Sequence, residues 1–301
     1  MKRKTWFWAL TPVAVALSLY GCGNGSDSDL AVDNNAQSCS VVSGTGSAVV
    51  VGSGLPGDPA APEAASGYRL GYKAKQSSNY MVVANTPLAT KAGCDVLKAG
   101  GTAVDAAVAV QAVLGLVEPQ SSTIAGSAFM MYYDAANKKV VAYDGRETAP
   151  AAATGYYLAR QDQSNASSPA PVPSARRSGR SIGVPGVMRM LDMAHKEHGK
   201  LAWAPLFDEG IRLASSGYKI PGRMGDAIRT NAANLQLDAN AVAAYFNADG
   251  TPKTTGTVTT NLPYAQSLRT LATGGADAMY SGPLADAIVA KAAQSVGDDV
   301  A

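Results

Sequence analysis

MVVANTPLATKAGCDVLKAGGTAVDAAVAVQAVLGLVEPQSSTIAGSAFMMYYD, residues 81–134, closed by YDGRETAP at residues 143–150, reads as one strand, helix, helix, hairpin unit. Tyr80-Met81-Val82-Val83-Ala84-Asn85 is a β-prone apolar run of strand length, stopped by a polar residue. Thr86-Pro87 then starts a helix: Thr86 can accept from orphan N–H groups, and Pro87 sits where its missing N–H costs nothing. Leu88, Ala92, Val96 and Leu97 share a face, and Gly100-Gly101 stands where a left-handed residue ends a helix. Thr102 caps again with Asp105 as capping-box partner, and the helix it opens, residues 103–116, is apolar almost all round. Such a helix must be buried, and its alanines let neighbouring backbone come close. Glu118-Pro119 breaks it. After a small-residue loop at 120–126, strands are predicted at 127–133 and 139–143 around a turn at 134–138.

Beyond this unit, Gly183-Val184-Pro185-Gly186 introduces a helix over 187–198, and a second follows at 204–215. Two more are predicted at 262–274 and 283–294, joined across residues 275–280. The intervening stretch 161–180 is rich in Ser, Pro and Ala and ends in Arg176-Arg177-Ser178-Gly179-Arg180, a basic cluster expected to be solvated. The class expected from this alternation is mixed α/β (α+β).

The N-terminus reads differently. Three cations at Lys2, Arg3 and Lys4, an apolar stretch over 6–20 and Leu19-Tyr20-Gly21-Cys22 describe an export signal, residues 1–21. The Leu-x-Gly-Cys ending resembles a bacterial lipobox, which implies lipidation at Cys22 and an exported, periplasmic chain anchored to the membrane rather than spanning it. Tyr20 is bulkier than usual there, so cleavage nearby by an ordinary signal peptidase stays open. Residues 22–70 form a Gly/Ser/Pro tether. Its Gly52-Ser53-Gly54-Leu55-Pro56-Gly57 matches a dinucleotide fingerprint only formally, because Asp58-Pro59 follows where a helix start is required.

Charge excludes one class of partner. The formal net charge is +2 from 25 basic and 23 acidic residues; without the three leader cations, 22 face 23, and nothing argues for nucleic acid. Cys39 and Cys94 are free to pair in an oxidising compartment, although Cys94 on an amphipathic helix reads more simply as a small buried apolar residue. His195 and His198 lie three apart with no third ligand at hand, and Lys196 and Glu197 suggest an exposed face, so no metal site is expected.

The two quoted runs, together with SGRSIGVPGVMRMLDMAHKEHGKLAWAPLFDEGIRLASSGYKI at 178–220 and LPYAQSLRTLATGGADAMYSGPLADAIV at 262–289, resemble the large subunit of the gamma-glutamyltranspeptidases. The resemblance covers most of residues 71–294 in order and makes residues 71–301 a truncated large-subunit-like domain. It implies an incomplete N-terminal nucleophile hydrolase fold, whose complete form is a four-layer αββα sandwich. It also implies an enzyme, hydrolysing or transferring the gamma-glutamyl group of glutathione and related compounds without a cofactor. In that family a precursor cleaves itself, and a threonine freed at the start of the small subunit attacks the gamma-glutamyl amide, its own α-amine acting as base. By the same resemblance, Arg146 of DGRETAP is expected to hold the substrate α-carboxylate, a role suited to a planar fork of donors.

One motif is missing. The cleavage signature, Thr followed by Thr or Ser, then His and a Ser-Val pair, does not occur. Thr254-Thr255-Gly256 and Thr259-Thr260-Asn261 are the nearest candidates, and the second lies just before the third large-subunit block. No catalytic residue is therefore assigned within the chain. The resemblance places the nucleophile beyond residue 301, on the small subunit of the same precursor. A smaller departure is Ser127-Ala128, where relatives carry a longer glycine run. The alternative reading is a noncatalytic periplasmic lipoprotein that binds amino acids or a partner subunit.

Overall fold

A computed structural model describes residues 77, 79–172 and 174–294; the leader, most of the tether and the last residues lie outside the described residues. Helix α1, Pro87–Lys98, begins as expected, with the Thr86 hydroxyl accepting from the Ala89 N–H at 3.3 Å. It ends at Gly100, whose φ of +89° is the left-handed conformation glycine tolerates. Helix α2, Ala103–Val117, opens on a complete capping box between Thr102 and Asp105.

Helix α2 is the centre of the molecule. Val104, Val108 and Ala112 enter one apolar cluster with Phe207 and Leu268, while Ala109, Val113 and Leu116 enter another with Ala89, Tyr218 and Met224. Its neighbours are α1, helix α3 (Val187–His198), the 3-10 turn Ala204–Phe207 and helix α4 (Asp208–Ser216). Tyr264, at the start of helix α7 (Leu262–Gly274), closes the arrangement by donating to the Ala112 carbonyl at 2.9 Å.

Strand β1, Ala128–Asp134, pairs antiparallel with β2, Lys139–Gly145, in a register that sets Ala128 opposite Gly145. Alternation does the rest. Met130, Tyr132, Val141 and Tyr143 turn toward α3, whereas Phe129, Met131, Tyr133 and Val140 are each 61–70% exposed on the opposite face. Residues 81–84 repeat the pattern, with Met81 and Val83 outward and Val82 against Gly93 of α1. The strand expected there does not form. The segment is extended and the Ala84 N–H donates to Thr90 Oγ1 at 3.2 Å, but among the described residues 81–85 join no sheet. An extended run becomes a strand only when another backbone accepts its ladder bonds.

The remaining elements are a two-residue ribbon of β3 (Tyr218–Lys219) with β4 (Val258–Thr259), and helices α5 (Gly222–Leu235), α6 (Ala239–Tyr245) and α8 (Pro283–Gln294). Ala276–Met279 is a 3-10 turn joining α7 to α8. Among the described residues no helix is long and apolar enough to cross a membrane.

Candidate functional site

Strand β2 runs out at Gly145, and the chain then crosses the start of α3 at a separation no side chain would allow. A Cβ on Gly186 would lie 2.3 Å from the Gly145 carbonyl oxygen and 2.9 Å from that of Arg146. The Gly186 and Val187 N–H groups both donate to the Gly126 carbonyl, at 2.9 and 3.1 Å, so the loop before β1 caps α3 where no side chain does. Two residues further on, the Val184 N–H donates to the Thr148 carbonyl at 2.9 Å and the Thr148 N–H returns to Val184 at 3.4 Å.

From the other side, the Tyr280 hydroxyl donates to the Pro185 carbonyl at 2.6 Å. Burial, opposed by Arg189, raises that hydroxyl's pKa. Arg189 lies over the Tyr280 ring at 4.7 Å and pairs with Asp277 at 2.6 Å. Sequence blocks more than a hundred residues apart thus meet at one backbone junction. Gly186→Ala is expected to cost about 2–3 kcal/mol, at the upper end for overpacking because the obstructing atoms are main chain. An unaltered urea midpoint in that variant would show that the junction yields.

Arg146 stands on this clipped loop. Asp144 Oδ1 accepts the Arg146 N–H at 2.8 Å, fixing the turn after the strand. The guanidinium is 62% exposed and lies 3.3 Å from Glu147 Oε1. The Ser127 hydroxyl, assisted by Arg146, holds the Glu147 carboxyl below its ordinary range. Arg146 and Glu147 therefore form an ion pair beside the end of the hairpin, with the arginine fork still open to solvent. On the inner face, the Tyr143 hydroxyl donates to Glu197 Oε2 at 2.6 Å; burial, then Glu197, pushes its pKa up to about 12.

A cleft of about 600 Å³ lies along the same loop. Thr148, Pro150, Leu158, Arg176 and Ile182 are among its walls, and Arg180 reaches it from below. The expectation that the 176–180 cluster is solvated fails for Arg180, which is 5% exposed. Its Nη1 donates to the Tyr157 and Arg160 carbonyls at 2.8 and 2.7 Å, and its Nη2 donates to Gln161 at 2.8 Å. A guanidinium with several donors can gather an irregular loop this way, and no periodic signal marks it.

Other sequence expectations change as well. His195 is not on an exposed face: Nε2 is 2.9 Å from the Leu201 carbonyl and 3.3 Å from Asp105 Oδ1, so it carries the hydrogen. His198 stacks on Tyr132 at 4.0 Å between ring centres. Among the described residues no group of three potential ligands gathers for a metal. Cys94, read as a simple apolar residue, is disulfide-bonded; Cys22 and Cys39 lie outside the described residues. Thr259 is buried in β4 and accepts from Lys253 Nζ at 2.9 Å, while Thr254 Oγ1 is engaged with Thr257, so neither is placed as a nucleophile. Ser127 and Glu147 received no role from the sequence; the signal available was their position in the quoted runs.

The family model described as gamma-glutamyltranspeptidase matches residues 89–298. Glutathione hydrolase 3 of Arabidopsis thaliana is 36% identical over 215 residues, 71% of this chain and 32% of that protein. The glutathione hydrolase proenzyme of Bacillus subtilis (strain 168) is 34% identical over 208 residues, 68% of this chain and 34% of the relative. The chain thus spans about a third of the length of these curated relatives. Among solved structures, the Helicobacter pylori gamma-glutamyltranspeptidase superposes with a TM-score of 0.65 at 29% identity, covering 72% of this chain and 60% of that one. The Pseudomonas nitroreducens gamma-glutamyltranspeptidase complexed with L-DON gives 0.63 at 29%, covering 75% and 65%.

Proposed function

Because the chain belongs to the gamma-glutamyltranspeptidase family, with its N-terminal nucleophile hydrolase fold of mixed α/β class, we propose that it forms the substrate-carboxylate half of a gamma-glutamyl hydrolase or transferase acting on glutathione and related compounds. The observation that carries this reading is the placement of Arg146. Its loop is pinned at Gly145 and Thr148 by backbone contacts, while its guanidinium projects into solvent with Glu147 as its ion-pair partner. A planar cation held this way is suited to receive a substrate α-carboxylate through two parallel hydrogen bonds. The amide bond beyond it is attacked by a threonine lying past residue 301, at the start of a small subunit from the same precursor. That threonine's α-amine takes the hydroxyl proton, and backbone donors hold the oxyanion.

The small subunit has a surface to meet. Phe129, Met131, Tyr133 and Val140 expose an apolar face on the hairpin, and Met81 and Val83 are exposed on an extended segment that joins no sheet among the described residues. Strands from the second subunit cover it. Export and a lipid anchor at Cys22 complete the reading, supported by the disulfide at Cys94, which persists in an oxidising compartment such as the periplasm.

The test has two parts. Reading the coding sequence past codon 301 is expected to reveal a Thr-Thr/Ser-His segment; a stop codon without a neighbouring small-subunit gene would overturn the reading. The complete protein is then expected to hydrolyse a gamma-glutamyl anilide and to spare the corresponding α-glutamyl anilide.

A further inference from the structure

The peptide unit between Pro185 and Gly186 is held on both edges by residues far from it in sequence. Its carbonyl accepts from the Tyr280 hydroxyl at 2.6 Å, and its N–H donates to the Gly126 carbonyl at 2.9 Å. A peptide is planar, with its C=O and N–H on opposite sides, so two such bonds fix the tilt of the whole unit. The tilt matters because Gly186 lies against the Gly145 and Arg146 carbonyls, too close to admit a Cβ. One residue before Pro185, Val184 is bridged to Thr148 on the same loop. A rotation of the Pro185–Gly186 peptide therefore pushes on the main chain that carries Arg146. The Arg146 guanidinium is exposed and its ion-pair partner is the next residue, so its aim follows the main chain beneath it.

The Tyr280 side of this arrangement is itself held in place. Tyr280 follows the 3-10 turn Ala276–Met279, and its N–H donates to the Asp277 carbonyl at 2.9 Å. Arg189 of α3 lies over its ring at 4.7 Å, and Arg189 Nη2 is 2.6 Å from Asp277 Oδ1. A cation on the ring face and a turn behind it leave the hydroxyl aimed at one acceptor. Two other tyrosines, Tyr218 and Tyr264, also donate to carbonyls, but theirs belong to Leu116 and Ala112 of α2, away from the Arg146 loop. We propose that Tyr280 is a positioning residue for substrate binding: its hydroxyl sets the Pro185–Gly186 peptide, and through that peptide the Arg146 fork, for the substrate α-carboxylate. This rests on the gamma-glutamyl reading of Arg146 and adds to it a residue that never meets the substrate.

Steady-state kinetics of the complete protein on a gamma-glutamyl anilide test this with Tyr280→Phe, which removes the hydroxyl and keeps the ring under Arg189. KM is expected to rise about three- to tenfold, the worth of one hydrogen bond, with kcat within about twofold of wild type. Tyr218→Phe loses a hydroxyl-to-carbonyl bond of the same kind on α2 and is the control; its KM is expected to stay within about twofold of wild type. In the Arg146→Ala background, Tyr280→Phe is expected to add less than about twofold, because the side chain it positions is gone. A purely structural tyrosine would instead add its full loss there. An unchanged KM in Tyr280→Phe, an equal rise in Tyr218→Phe, a loss carried by kcat alone, or a full further rise on top of Arg146→Ala would each overturn the assignment while leaving Arg146 in its site. Failure of the gamma-glutamyl reading looks different: Arg146→Ala itself would leave the kinetics unchanged, and this inference would fall with it.

Discussion

Replacing Arg146 with alanine is expected to lower kcat/KM of the complete protein for a gamma-glutamyl anilide by roughly 30- to 150-fold, carried mainly by KM, as for loss of a hydrogen-bonded charge. The direction follows from where the side chain stands. It is 62% exposed and pairs with Glu147 at the surface, so its removal takes little from the fold. The loop stays in place because Asp144 holds the Arg146 N–H and Thr148 is bridged to Val184, contacts that do not involve the guanidinium. What is lost is the fork proposed to meet the substrate carboxylate. Lysine keeps the charge without the paired geometry, so Arg146→Lys is expected to recover only part of the affinity. Unchanged kinetics in Arg146→Ala would remove the residue from the site.

The largest effect on stability is expected at Asp105. Its side chain is fully buried, and its two oxygens accept from the Thr102 N–H at 2.7 Å, Lys200 N–H at 3.0 Å and Leu201 N–H at 3.2 Å, with His195 Nε2 at 3.3 Å. One carboxylate thus joins the start of α2 to the turn after α3. Asp105→Ala takes the shared acceptor from those partly buried donors and removes the capping box, at a cost of about 2–4 kcal/mol. That is a large part of the roughly 5–15 kcal/mol that holds a domain folded. Asp105→Asn retains one acceptor oxygen and is expected to fall between. Urea unfolding monitored at Trp203, which lies 5.2 Å from His195 between ring centres, reads the effect directly. A midpoint within a few tenths molar of wild type would mean that water replaces the carboxylate.

Asp105 also shows what a sequence can and cannot disclose. Its capping-box role was legible because the partner, Thr102, is three residues away. Its second role was not, because Lys200 and Leu201 lie more than ninety residues along the chain. The same division runs through the molecule. The helix starts at Thr86 and Thr102, the Gly100 stop and the two hairpin strands follow from local chemistry, and each formed as read. The strand at 81–85, the burial of Arg180, the Asp105 contact of His195 and the disulfide at Cys94 each depend on a distant partner, and each was misread or left open. Arg146 was singled out by family resemblance alone; without it, an arginine after a strand is ordinarily a surface residue. Helices α5 and α6 were not anticipated; α6 buries no side chain fully and so carries little periodic signal, whereas α5 buries Met224 and Ile228 and was missed.

The junction at Gly145, Pro185 and Gly186 has an evolutionary corollary. Its tightest contact is between main-chain atoms, the Gly145 carbonyl against Gly186; the Tyr280 side chain adds its hydroxyl on the Pro185 carbonyl. A clash between two side chains can be relieved by shrinking the partner, and such pairs drift together through a lineage. A clash with a carbonyl offers no partner to shrink. Gly186 is therefore expected to be frozen singly across relatives rather than to covary with another position. Covariation would miss the contact that holds Arg146 in place, even where it finds the apolar pairs around α2.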